Sequence, residues 1–213
     1  MANRLYVFYP TDIRPKKMEK HISKHCPDIK TTVFAKYKDF NEQSRLAPPD
    51  AILSFSKVIQ KSKKFSNPHI QGFRNGVSQE KYLLVSVNEP VDMKNLEGKQ
   101  IGAIDMFGRR SMKEYFFQTL GAKVKVARVT KTEDILNLLT FKLASAIFIS
   151  EKKYQLFKKK SKQTLIATDL DINMDLVSLA VADENSKQQY FECVKHLDDQ
   201  TNALLGVDSW QLK

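Results

Sequence analysis

The sequence predicts an α/β fold built on parallel sheets, and three stretches carry that prediction. Residues 4–55 read as strand, helix, strand, helix, strand; residues 101–168 continue the alternation; a strand-like run at 175–182 then leads into a long amphipathic stretch ending near Gly206. Neighbouring parallel strands must be joined by crossovers, which take a right-handed sense.

Arg4–Pro10 is rich in strand formers and is stopped by a proline that cannot donate to a ladder, so it is the first strand. Pro15 suits the first turn of a helix in which Met18, Ile22 and Cys26 recur at helical spacing before Pro27. Thr31–Tyr37 is a second strand, Phe40–Leu46 a short helix halted by Pro48-Pro49, and Asp50–Phe55 an apolar strand of the buried parallel kind. After an extended run at Tyr82–Val87 and a break at Asn88-Glu89-Pro90, Ile101–Asp105 is a strand and Arg110–Leu120 an amphipathic helix ended by Gly121. Lys123–Val129 alternates as a strand does, and Glu133–Leu143 sets Ile135, Leu138, Leu139 and Leu143 on one helical face, with Thr130 or Thr132 as its cap. Ala146–Ile149 is the next strand, Lys152–Lys160 a Lys-rich helix and Thr164–Thr168 a strand; Asp175–Ala182 is strand-like again, and Lys187–Leu205 is predicted as one helix. Ligands of open parallel sheets sit outside the carboxyl ends of the strands. Here those tips are Tyr9-Pro10-Thr11 and Ser54-Phe55-Ser56.

At 213 residues, 42% hydrophobic and 28% charged, the chain can bury a real core and is neither disordered nor membrane-embedded in composition. Its longest apolar runs, such as 144–149, fall far short of the roughly 20 residues of a spanning helix. A net charge of +11 favours anionic partners, but the lysines are scattered and no recognition helix, zinc finger or aromatic RNA-binding signature accompanies them. Nucleic acid is therefore not an expected partner. No nucleophile elbow, P-loop, dinucleotide fingerprint or Cys-His signature is present, so no catalytic residue is assigned. His21 and His25 share a helix face beside Cys26, but nothing supplies a third ligand and no metal site is assigned.

The order of motifs from Lys63 to Ile149 adds a family likeness. Phe65-Ser66-Asn67-Pro68-His69, the run at 82–87, the segment Asn95–Ile104 (NLEGKQIGAI) and the alternation after it resemble bacterial solute-binding proteins of the type 2 periplasmic fold, especially the family 3 group that binds amino acids for ABC uptake systems. The likeness implies two lobes, each a mainly parallel sheet flanked by helices: a discontinuous first lobe of residues 1–90 and 173–213 and a second of 91–172, with crossings near Asn88–Pro90 and Asp171–Asn173. It implies closure of the lobes on a small polar solute, a membrane permease as partner, a monomer, no cofactor, no catalysis, and a periplasmic location with a signal peptide removed ahead of Met1. Sensing without transport, or a small enzyme on the same fold, are the alternatives. Cys26 and Cys193 would both fall in the first lobe, either bonded or as two buried thiols.

Two positions lack the family's charged ligand contacts. Alignment on Phe65–His69 puts Ser56 where relatives carry Thr and Ile59 where they carry the Arg that grips a ligand carboxylate; Ser150 stands where an acidic residue binds an ammonium group. An ordinary amino acid is therefore not the expected ligand. The loop Met106–Ser111 lies where relatives bind anions, and the helix start, Ser111 and the forks of Arg109 and Arg110 make an anionic solute the expectation. Tyr9, Phe55 and Phe107 are candidate ring contacts at strand ends. The expected ligand-binding set is thus Tyr9, Thr11, Phe55, Ser56, Phe107, Arg109, Arg110, Ser111 and Ser150.

Overall fold

The computed structural model describes residues 3–10, 13–62, 64–65 and 67–213. It divides into two compact units, one of residues 1–79 and 175–213 and one of residues 80–174.

The first unit holds a six-stranded sheet in the order β11-β4-β10-β3-β1-β2, made of β1 (Asn3–Phe8), β2 (Ile29–Phe34), β3 (Ala51–Phe55), β4 (Ile70–Phe73), β10 (Val177–Val181) and β11 (Ser209–Leu212). β1 pairs in parallel with β2 and β3, whereas β10, β4 and β11 add on antiparallel, so the sheet is mixed with a parallel core of three strands. The alternation of β1 feeds two layers. Leu5 and Val7 join Met18 and Ile22 of α1 (Pro15–His25) and Tyr190 and Val194 of α7 (Lys187–Lys195) in one core. Tyr6 and Phe8 face the other way and meet Phe34 and Phe40, the last on α2 (Tyr37–Leu46), with Phe8 and Phe40 stacked at 5.5 Å. Cys26 and Cys193 form a disulfide that ties the end of α1 to α7.

The expected helix 187–205 is instead two, α7 and α8 (Asp199–Leu205). Asp198 stops the first and starts the second: its carboxylate accepts the Thr201 N–H at 2.8 Å, the bond that makes Asp a strong N-cap. β11 follows, and Trp210 Nε1 donates to Asn202 Oδ1 at 2.9 Å. Neither β4 nor β11 stands out in the sequence, because each is four residues long and β4 contains Gly72.

The second unit holds a sheet in the order β7-β6-β8-β5-β9, made of β5 (Gln79–Val87), β6 (Gln100–Ile104), β7 (Lys125–Val129), β8 (Ala146–Ser150) and β9 (Leu165–Asp175). β6 pairs in parallel with β7 and β8; β5 runs antiparallel to β8. Helices α4 (Gly108–Leu120), α5 (Ile135–Thr140) and α6 (Glu151–Lys160) flank it. α5 packs so closely that a Cβ on Gly102 would lie 2.6 Å from Leu138 Cδ1 and 2.9 Å from Ile147 Cγ2. The first boundary between units corrects the expectation of a first lobe reaching residue 90. Tyr82–Val85 pair with Ile147–Ser150 of β8, which places β5 in the second sheet and the boundary at Gln79–Glu80. The other boundary falls between Met174 and Asp175, and β9 runs unbroken from Leu165 through the residues expected to form a crossing loop.

Candidate functional site

In the first unit the parallel core points its carboxyl ends at one edge, where Tyr9 follows β1 and Ser56 follows β3. The Tyr9 ring is half-buried, 5.0 Å from the buried Phe55 ring, and its hydroxyl stands 3.0 Å from where a Cβ on Gly206 would lie. Ser56 is buried, and its hydroxyl lies 3.0 Å from Ser178 Oγ. Ser178 donates to Gln71 Oε1 at 2.9 Å, which makes Ser56 the donor to Ser178. Gln71 in turn donates to the Gly72 and Leu176 carbonyls. This chain satisfies the buried polar groups of Ser56, Ser178 and Gln71 and pins β3, β10 and β4 together at their tips; Ser56 is thus first a structural residue. Thr11 lies outside the described residues. Ile59 is fully buried in α3 (Ser56–Ile59) and presents a core side chain with no donor.

Sequence reasoning missed Arg74. It follows β4 at the same edge, and its Nη1 donates to the Gly206 carbonyl at 3.3 Å, bringing a guanidinium to the glycine that the Tyr9 hydroxyl approaches. Asn75-Gly76 places it there. Both residues have left-handed backbones (φ 51° and 77°), and Arg74 and Val77 exchange backbone hydrogen bonds at 2.8 and 3.1 Å, a two-residue hairpin turn. An Asn-Gly dipeptide between extended runs is the signal that could have revealed it.

In the second unit β6 ends at Ile104, and Asp105 stands before α4. Asp105 Oδ1 accepts the Gly108 N–H at 2.8 Å, while Oδ2 pairs with Arg128 of β7. The chain's own carboxylate thus takes the first N–H of the helix, and Arg128 balances its charge. Arg109 is exposed and Ser111 half-buried. Arg110 is 93% exposed in its side chain and pairs with Glu114 at 3.1 Å, one turn along. Phe107 is buried against Tyr115, ring centroids 5.5 Å apart, so it is held in the core of this unit; burial also pushes the Tyr115 hydroxyl pKa up. Ser150 is buried at the end of β8 and caps α6, its Oγ accepting the Lys153 N–H at 3.4 Å. Of the expected residues, the structure therefore leaves Arg109 and Ser111 least committed to internal contacts, and engages Ser56, Phe107, Arg110 and Ser150 internally.

Among the described residues no group of three or more His, Cys, Asp or Glu is placed to hold a metal, and no helix is long and apolar enough to cross a membrane. No family model and no curated protein matches the sequence. Solved structures do match, along nearly the whole chain. A putative L-cystine ABC transporter protein from Listeria monocytogenes aligns with a TM-score of 0.61 at 14% identity, over 98% of this chain and 98% of that one. The GluR0 ligand-binding core from Nostoc punctiforme, solved with L-glutamate, gives 0.60 at 9% identity, over 96% and 95%. The periplasmic VFT2 domain of Bordetella pertussis BvgS gives 0.54 at 12% identity, over 96% and 92%. What the chain shares with these proteins at such identities is the fold, the two-lobed α/β architecture of type 2 periplasmic solute-binding proteins.

Proposed function

We propose that the protein binds a small polar solute, non-catalytically, and that it serves as the substrate-binding component of an ABC uptake system. The observation that carries this reading is the match of both units, in one alignment, to a transporter protein and to a glutamate-binding core. Closure on the solute would follow from its higher affinity for the closed state, the form a membrane permease would recognise. The disulfide supports an oxidising, periplasmic setting.

The solute is anionic in this reading. The candidate contacts are Arg109 and Ser111 in the second unit, where Arg128 already balances the Asp105 charge, and Arg74 and Tyr9 at the strand tips of the first. Sensing without transport is the second reading, favoured by the replacement of two ligand contacts by Ile59 and Ser150, both buried.

A thermal-shift screen of amino acids, organic acids, phosphonates and sulfonates tests the proposal. A ligand at a hundred times its dissociation constant stabilises the native state by about 2.7 kcal/mol. The expected result is a shift with an organic anion that Arg109→Ala removes. A shift given only by common amino acids, or one untouched by Arg109→Ala, would overturn the anionic reading; no shift with any small solute would count against binding.

A further inference from the structure

The outward face of α6 is a basic strip that the reading above does not use. Tyr154 and Phe157 turn inward to the core of the second unit, and Tyr154 Oη donates to the Leu165 carbonyl at 3.2 Å, which sets the rotation of the helix. With 3.6 residues per turn, the opposite side carries Lys152, Gln155, Leu156 and Lys159, all exposed. Lys160 flanks this line, Lys158 turns back over the Tyr154 ring at 5.7 Å, and the exposed Lys162 follows the end of the helix. From residue 151 to residue 162 there are six lysines against one acid, Glu151, at the far end of the helix.

Helix stability alone does not account for the strip. Lysines in a last turn are favoured by the helix dipole, but that effect does not ask for an exposed Leu156 on the same face. We propose that this face docks the protein on the headgroups of an anionic phospholipid bilayer. Compact, mobile ammonium groups suit a diffuse layer of phosphates, and their long stems let Leu156, 39% exposed, approach the acyl boundary while the charges stay in the headgroup region. Nucleic acid fits less well. A single-strand binder needs exposed rings on which bases stack, and both aromatic residues of α6 are buried. The docking does not depend on which solute the protein binds.

Co-sedimentation of the intact protein with vesicles tests this, using phosphatidylcholine alone or with about 30% phosphatidylglycerol at low salt. A lysine near an anionic surface is worth about fivefold in partitioning, so Lys159→Gln/Lys160→Gln/Lys162→Gln should cost on the order of a hundredfold on the anionic vesicles. Lys16→Gln/Lys17→Gln/Lys20→Gln on α1 removes the same charge and should leave binding nearly intact, and high salt should release the wild type. Circular dichroism confirms that both variants are folded. The proposal is overturned if the wild type ignores the anionic vesicles, if it binds neutral ones equally, if the two triple variants lose binding equally, or if it is held by single-stranded DNA and not by vesicles.

Discussion

Cutting the Cys26–Cys193 bond should cost the first unit about as much as truncating one of its largest core side chains. The bond joins residues 167 apart, and in the chain-entropy account closure of a loop that long is worth about 5 kcal/mol at 25 °C. The whole second unit lies inside that loop. If it stays folded while the first unit opens, the flexible part of the loop shrinks to roughly 73 residues, yet the term falls only to about 4 kcal/mol because it varies with the logarithm of length. The expectation therefore holds whichever unit opens first. The sequence supplies the assay. Trp210 is the only tryptophan; it is buried in β11 of the first unit, so its fluorescence follows that unit alone. With a denaturant slope of about 2 kcal/mol per molar, the urea midpoint of Trp210 should fall by about 2 M in Cys26→Ala/Cys193→Ala and in reduced wild type. Equal midpoints for oxidised and reduced protein would refute the reasoning. They would mean that the unfolded first unit is already held compact without the bond.

Three further outcomes follow from single residues. Ser178→Ala strands the Ser56 hydroxyl proton and a Gln71 acceptor in a buried site, and should destabilise the first unit by about 1–3 kcal/mol on the Trp210 signal. Gly102→Ala drives a methyl group into Leu138 and Ile147, and should cost the second unit about 1–3 kcal/mol in circular dichroism melts while leaving Trp210 unchanged. Hydrogen bonds from Thr201 and from His25 hold the Asp198 carboxyl well below its usual 3.8, so the folded state gains from the ionised form above that pH and loses the gain as pH falls below it. Asp198→Asn keeps a capping oxygen without the charge, so the variant should be less stable than wild type at pH 7 and should show a smaller drop in urea midpoint between about pH 5 and pH 3.

The sequence by itself determined the elements whose cause is local. Hydrophobic period and the stops at Pro10, Pro27, Pro48 and Gly121 located β1, α1, α2, β3, β6, α4 and β8 to within a few residues, and the motifs around Phe65 and Gly98 were enough to indicate the fold. What the tertiary structure decided depends on partners distant in the chain. β4 and β11 exist because each finds the other across the sheet, with Ile70 to Phe73 opposite Ser209 to Leu212 and no strong pattern in either. β5 belongs to the second unit because it pairs with β8, which no local signal in residues 79–87 specifies. The same holds for the site. Asp105 reads as the end of a strand until Arg128 and the Gly108 N–H, brought to it by β7 and by the turn into α4, make it the internal anion at the head of that helix. Periodicity records which face of an element is buried; it carries no record of which distant polar group a side chain will meet, because that depends on the sheet order that packing selects.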